Sequence, residues 1–534
     1  MPRKVIGKAA LILITSLLGL IFFTLAGGAE GTGPNLVPNP EFSGGGKSAL
    51  PTGWNRSIQK IPGLSPSQVF PCRVTGQAGE LLGLVGGPDR AGRVWCEVSG
   101  IRPHADYLLE FKAYRPQFIN GVYLEVEIFG TRHLINQHFT YGQVQPVFLR
   151  LNSGATQGKT RLMVVNPHAA VLAFGSPSLR AAAPRPADDW RAQGVRLPDF
   201  FPVGIFNAGL EDFPDVRAAG FNAVQSYESG PELQGRMAAA AERLGLKYLP
   251  NFRQYRPQGS RELGGRPGLL GFYIEDEPEG RSVPPRDLRG LKESLKRDHP
   301  GVLTAVAMLR PRMVAEYRDA ADIFMMDPYP VPHMPMTWLS DTLEEAARYV
   351  SRERLWAVIQ AFGEEKFRGQ GWPRRPTFLE MRCLTYLALA HGTRGLFYFS
   401  YADIRGDKAA WENLKRIVGE LGKLADWLKC PNEPAGNFRV EIISPFQADA
   451  SGGPAVHFCH KRLNEEHLLI LVNVIERPVS FYFHGLSPQT QWVTEFWRGQ
   501  NITVFQGNLM ERLEPYEVRV YRFLENSLTR NVHE

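Results

Sequence analysis

Three patterns of apolar and polar residues follow one another along the chain. From residue 30 to 183, short runs rich in β-branched and aromatic residues alternate with clusters of Gly, Pro, Asn and Asp. Val94–Val98, Tyr107–Ala113, Val122–Phe129 and Arg161–Val165 are the clearest. Runs of that length broken by turn residues predict a β-sandwich. Residues 184–199 read as a linker, opening in the Ala- and Pro-rich stretch Ala181–Ala187. From 200 to 429 apolar strand-like runs alternate with helical segments. The runs are Val203–Phe206, Ala223–Tyr227, Lys247–Phe252, Leu270–Ile274, Leu303–Met308, Ile323–Met326, Leu355–Ile359 and Gly395–Phe399. Eight βα units in about 230 residues predict a closed (β/α)8 barrel. An open doubly wound sheet fits the count less well, and no Gly-rich phosphate loop follows the first run. Residues 430–524 return to strand character at His467–Asn473, Val479–Phe483 and Val518–Phe523, predicting a second β-sandwich, and 525–534 form a polar tail.

The helices of the middle region carry end signals. Phe378–His391 is the clearest, with Thr377 and Glu380 spaced as a capping box and Gly392 placed to stop it. The third helix is poorly supported, because Arg256–Gly268 is rich in Gly and Pro. Ahead of everything lies an apolar run, Ala9–Ala26, preceded by Arg3, Lys4 and Lys8 and followed by small residues up to Ala29. This is the layout of a signal peptide cleaved after Ala29, so residues 1–29 predict a secreted or cell-surface protein. An uncleaved membrane anchor is the alternative, and only then is a membrane a partner.

The formal charge of +7 comes from 61 basic and 54 acidic residues spread along the chain, so it reads as a solvated surface and not as a nucleic-acid footprint. The five cysteines form no zinc-like spacing with histidine. In an exported chain Cys72 could pair with Cys96 and Cys430 with Cys459, whereas Cys383 falls in the apolar helix as a buried small hydrophobe. No metal or organic cofactor is expected.

Function in a parallel barrel sits on the loops after the strand C-termini. Those positions carry Asn207, Tyr227, Glu228, Asn251, Arg253, Glu275, Asp276, Glu277, Arg310, Asp327, Tyr329, Gln360, Tyr401 and Asp403. Carboxylates, amides, an arginine and aromatic rings suit a sugar, which offers many hydroxyls and flat faces. Three adjacent acids at a barrel mouth repel one another, and one should hold its proton near neutrality, as a general acid must. The bland reading is a solvated acidic loop paired with Arg253 or Arg310. Glu275 and Glu277 share strand parity, so both should face the barrel axis if the strand is regular.

Phe272-Tyr273-Ile274-Glu275-Asp276-Glu277-Pro278 resembles the strand-four signature of clan A glycoside hydrolases, in which an apolar strand ends in Asn-Glu-Pro. The resemblance implies that Glu277 is the acid/base and that Asp276 stands where the Asn contacts the sugar. It fails on strand seven. Those enzymes carry a nucleophilic Glu there, and this chain has Gln360, with Glu364 and Glu365 further on. The second carboxylate is then Asp327, in Asp-Pro-Tyr-Pro, ahead of Glu275 or Asp403. Other readings are a substrate-supplied nucleophile, Glu364 folded inward, or a glycan-binding protein without catalysis. Asn35–Phe42 with Pro51–Trp54 resembles the opening of jelly-roll carbohydrate-binding modules, and Leu513–Tyr521 resembles the last strand of sandwiches that close many glycosidase chains. The expected function is hydrolysis of a glycosidic bond in an extracellular poly- or oligosaccharide. Glu277 and Asp327 are the expected catalytic pair. Asn207, Arg253, Glu275, Asp276, Tyr329, Gln360, Tyr401 and Asp403 are expected at the sugar. Trp372, in a Gly-rich loop after strand seven, is expected over the cleft, and Trp338 and Trp356 in ordinary packing.

Overall fold

The computed structural model describes residues 31–524, apart from 33, 43–49, 58–67, 75–79, 87–90, 117–122, 136–143, 183–187, 189, 191–194, 229, 254–262, 264, 282, 445–447 and 451–452. The expected signal peptide or anchor and the polar tail lie outside the described residues. Among the described residues no helix is long and apolar enough to cross a membrane.

The middle region is a parallel barrel. Its strands are β1 (Val203–Ile205), β2 (Ala223–Ser226), β3 (Lys247–Pro250), β4 (Gly271–Asp276), β5 (Leu303–Met308), β6 (Ile323–Met326), β7 (Leu355–Gln360) and β8 (Leu396–Phe399). Seven neighbour pairings run β3-β2-β1-β8-β7-β6-β5-β4. Parallel bridges Tyr248–Leu269 and Asn251–Tyr273 close the ring between β3 and β4. All eight expected strands are present. Side chains alternate as a barrel requires. Leu249, Tyr273, Ala305, Ala307, Met325, Val358 and Phe397 point into one interior cluster. Tyr248, Phe272, Val306, Phe324, Ala357 and Leu396 face the helices. Gly204 is demanded by this packing, since a Cβ there would lie 2.4 Å from the Phe397 ring. Trp356 is interior filling, as expected, stacked on Phe397 at 5.7 Å.

Helix Phe378–Ala390 starts at the predicted box, with Thr377 accepting from Glu380 N, and Gly392 follows it at φ +78°. Residues Glu380 to Leu389 are all buried. Buried on every side over that span, the helix lies between the barrel and the C-terminal strands. Cys383, Leu387, Ile470 and Val520 share one core there. The Gly- and Pro-rich stretch expected to carry a poorly supported third helix lies largely outside the described residues.

The N-terminal region is two antiparallel sheets, of six and five strands. Its signature residues build the sandwich itself. Asn35 Oδ1 accepts from Val37 N and Leu179 N at 3.0 and 2.9 Å, and Phe42 meets Trp54 edge-on at 5.3 Å. The C-terminal region is a three-stranded sheet facing a five-stranded one. All five cysteines are free thiols, so neither possible disulfide is formed. The segment expected as a plain linker is partly built into the barrel. Trp190 and Val195 are buried with Leu303, Ile323 and Trp356 at the barrel base.

Candidate active site

The C-terminal mouth is organised by an irregularity in β4. Tyr273 pairs with Ala305, but the next register pair is Glu275 with Val306, followed by Asp276 with Ala307. Ala305 and Ala307 are interior, and Val306 faces outward. The bulge therefore inverts the parity expected for a regular strand. Asp276 enters the interior face and Glu275 leaves it, which corrects the expectation that Glu275 faces the axis beside Glu277. Glu275 Oε1 accepts from Arg253 Nε at 2.7 Å and Asp276 N at 2.9 Å, so it orients the site from the side.

Asp276 is held at both oxygens. Tyr273 donates its hydroxyl to Oδ1 at 2.7 Å, and Arg253 Nη1 and Arg281 Nη2 reach Oδ2 at 3.2 Å each. A carboxylate fixed by two guanidiniums and a phenol is a rigid acceptor for a hydroxyl-bearing ligand. Glu277 follows in a turn at φ +46°, in the left-handed region. Its N–H donates to Ala307 O at 3.0 Å, and its carbonyl accepts from Gly280 N and Arg281 N at 3.0 and 3.2 Å. Burial, then the charges of Asp276 and Glu279, push the Glu277 carboxyl up to about 7, against the opposing pull of Arg281 and Arg310. That is the value a proton donor needs near neutrality.

Asp327 follows β6, two strands from β4, so the two backbones lie about 10 Å apart. Its predecessor Met326 faces outward, which turns Asp327 inward. Asp327 is 4% exposed, and its Oδ1 is buried without a hydrogen-bond partner. Burial and the charge of Glu277, followed by Asp276 and Glu279, hold its carboxyl well above the usual range. The negative charge of Glu277 thus helps Asp327 keep its proton. Tyr227, Tyr273 and Tyr329 complete the floor. Burial and then nearby Asp276 or Asp327 raise each phenol above its ordinary value, so all three remain donors. Trp372, expected over the cleft, meets Tyr329 and Phe362 edge-on at 6.1 and 5.2 Å, and its indole N–H donates to Tyr329 O at 3.1 Å.

Four other expected positions sort differently. Asn207 follows β1 in a left-handed turn at φ +62°, at the rim, partly exposed. Gln360 is fully buried. Its Oε1 accepts from Val331 N at 2.9 Å, and its Nε2 donates to Val331 O and Phe362 O at 2.9 and 3.3 Å. With its amide so occupied, Gln360 locks the loop after β6 instead of presenting itself to a sugar. Tyr401 points outward, donating to Asp215 Oδ2 at 2.9 Å and packing edge-on against Trp411. Asp403 accepts from Ser400 Oγ and Lys366 Nζ at 2.5 and 3.0 Å. Glu364 pairs with Arg375 in the same loop network and does not fold toward Glu277. Glu279, one residue beyond the motif, went unnoticed in the sequence. Among the described residues no group of three or more His, Cys, Asp or Glu is arranged to hold a metal ion.

No family model and no curated protein matches the chain. Solved structures similar to it include an alpha-amylase from Geobacillus thermoleovorans complexed with acarbose, at 11% identity and a TM-score of 0.45, covering 62% of this chain and 100% of that one. A cyclomaltodextrinase has 8% identity and a TM-score of 0.45, covering 80% and 96%. A GH30 endoxylanase from Clostridium papyrosolvens has 10% identity and a TM-score of 0.38, covering 62% and 98%. These neighbours are glycoside hydrolases. At such identities and scores the likeness assigns neither residues nor activity to this chain, whose barrel stands on its own strand order.

Proposed function

We propose that this protein is an exported glycoside hydrolase acting on a poly- or oligosaccharide. The observation that supports it is a pair of carboxyls with raised proton affinity at the barrel mouth, Glu277 after β4 and Asp327 after β6, the charge of Glu277 being among the causes at Asp327. Glu277 gives its proton to the leaving glycosidic oxygen as the bond to the anomeric carbon breaks. Asp327 either takes a proton from the attacking water or itself attacks the anomeric carbon, giving inversion or retention respectively. Asp276, fixed by Arg253 and Tyr273, accepts a sugar hydroxyl, and Asn207 and Tyr329 line the approach. Export rests on the basic residues and apolar run of positions 3–26.

One observation favours a second reading, a glycan-binding or cell-surface protein without catalysis. The strand-seven position of the family nucleophile holds Gln360, and its amide is fully engaged with the main chain. The test is hydrolysis of a panel of natural glycans by the chain lacking residues 1–29, beside Glu277→Gln and Asp327→Asn. Cleavage by the parent and its loss in both variants supports the enzyme, and the product anomer assigns the role of Asp327. Glycan binding without cleavage supports the second reading. Cleavage that survives Glu277→Gln overturns the site.

A further inference from the structure

Glu279 lies two residues beyond Glu277 and outside the motif that singled out the site. Its Oε1 accepts from two consecutive main-chain N–H groups at the end of β5, Leu309 N and Arg310 N, both at 2.9 Å. This ties the turn after β4 to the neighbouring strand. The turn needs such a tie, because Glu277 occupies a left-handed conformation that a non-glycine residue adopts only under constraint. The residue between this pair of acids and Arg281 is Gly280, where a Cβ would lie 3.8 Å from Glu277 Oε2. The turn is thus folded closely around the Glu277 carboxyl. The second oxygen of Glu279 is buried without a partner. A buried carboxylate left half-satisfied is costly and calls for a reason.

We propose that Glu279 is the positioning residue of this site, stapling the turn that presents Glu277 to the end of β5 and setting a carboxylate charge behind it. The inference rests on the glycosidase reading for its consequence in catalysis, but not for the effect of one carboxyl on the other. Glu279 touches no substrate. It acts through Glu277, whose proton it helps retain by like-charge repulsion, together with Asp276 and against the opposing charges of Arg281 and Arg310.

Staple and charge can be separated. Glu279→Gln keeps an acceptor for both N–H groups and removes the charge, whereas Glu279→Ala removes both. The protonated-carboxyl infrared band, assigned with Glu277→Gln, follows the Glu277 titration without any substrate. In Glu279→Gln the midpoint should fall by about one pH unit. The high-pH limb of kcat/KM should move down with it, while KM stays near the parent value. Glu279→Ala should show the same fall together with a lower Tm. A residue serving only as a structural clamp would leave both the titration and the pH profile of Glu279→Gln unchanged. That result, or unfolding of both variants, overturns the proposal. A parent that cleaves no glycan removes the glycosidase reading and leaves the infrared comparison intact.

Discussion

Tyr273 donates its hydroxyl to Asp276 Oδ1 at 2.7 Å, and the two side chains meet only because the strand between them is bulged. Residues three apart on a regular strand point to opposite faces. The register step between Tyr273 and Glu275 brings both onto the interior face. Through that step a strand with three terminal acids delivers Asp276 to the axis, ties Glu275 to Arg253, and leaves Glu277 in the turn above them.

Tyr273→Phe tests this contact. Asp276 would keep its two guanidinium partners and lose the donor that fixes its plane. Loss of one buried hydrogen bond to a charged group costs about 2 kcal/mol. We expect kcat/KM on a cleaved glycan to fall by about tenfold or more, with Arg253 and the fold undisturbed. Steady-state kinetics beside far-UV circular dichroism checks it.

Glu277 predicts opposite effects on activity and stability. Its carboxyl is raised from 4.5 to about 7, mainly by burial, so the folded state binds its proton more tightly than the unfolded chain does. The stability this contributes is fully present below pH 4.5 and is lost as pH rises through 7. At pH 8 the site holds a buried charge at a cost of about 3 kcal/mol. Glu277→Gln should therefore melt above the parent at pH 8 and level with it at pH 4, while cleavage is abolished at both. Differential scanning calorimetry at the two values reads the sign directly. A variant less stable than the parent at pH 8 would contradict the buried, raised carboxyl.

What the sequence discloses about this protein follows from what a linear pattern can hold. All eight barrel strands are legible because each is an apolar run closed by turn residues, and the Thr377–Glu380 box with Gly392 marks a helix at both ends. Direction is less legible. Counting residues along β4 directs Glu275 to the axis, and a bulge, which adds one residue without any change of composition, reverses the count. Tyr401 and Asp403 were placed by proximity to β8, yet helix geometry carries one toward Trp411 and the other toward Lys366. Glu279 was missed because its role lies in two main-chain N–H groups at the end of another strand, and no local pattern records those.

Gln360 separates family pattern from local structure. Restoring the expected carboxylate with Gln360→Glu should not create a second catalytic group. The new side chain would keep its contact with Val331 N but turn an acceptor toward Val331 O and Phe362 O, where the present amide donates. Buried acceptors facing acceptors destabilise by about 2–4 kcal/mol. We expect a lower Tm and no gain in cleavage rate. Gln360→Ala should lower Tm as well, by freeing the loop after β6. A Gln360→Glu variant faster than the parent would return strand seven to the mechanism.

The segment between the first sandwich and β1 has a role beyond connection. Arg354 is fully buried at the barrel base, 0% exposed. Its Nη1 meets Asp188 Oδ1 at 2.6 Å, and its other donors reach the carbonyls of Asp322, Arg318 and Ala321. Asp188 also accepts from Ser351 N at 2.7 Å. Asp188→Ala removes the carboxylate paired with this guanidinium and leaves a buried cation without it, at a cost of about 3 kcal/mol or more. Trp190 and Val195 close the interior beneath Ile323 and Trp356, so the barrel is expected to need these residues even when the sandwich is absent. A chain starting at residue 186 should give a cooperative melt, and one starting at 200 should be aggregated or molten. Asp188→Ala in the full chain should lower the barrel's transition and leave that of the N-terminal sandwich in place. Equal melts for the two truncations would reduce the segment to a tether.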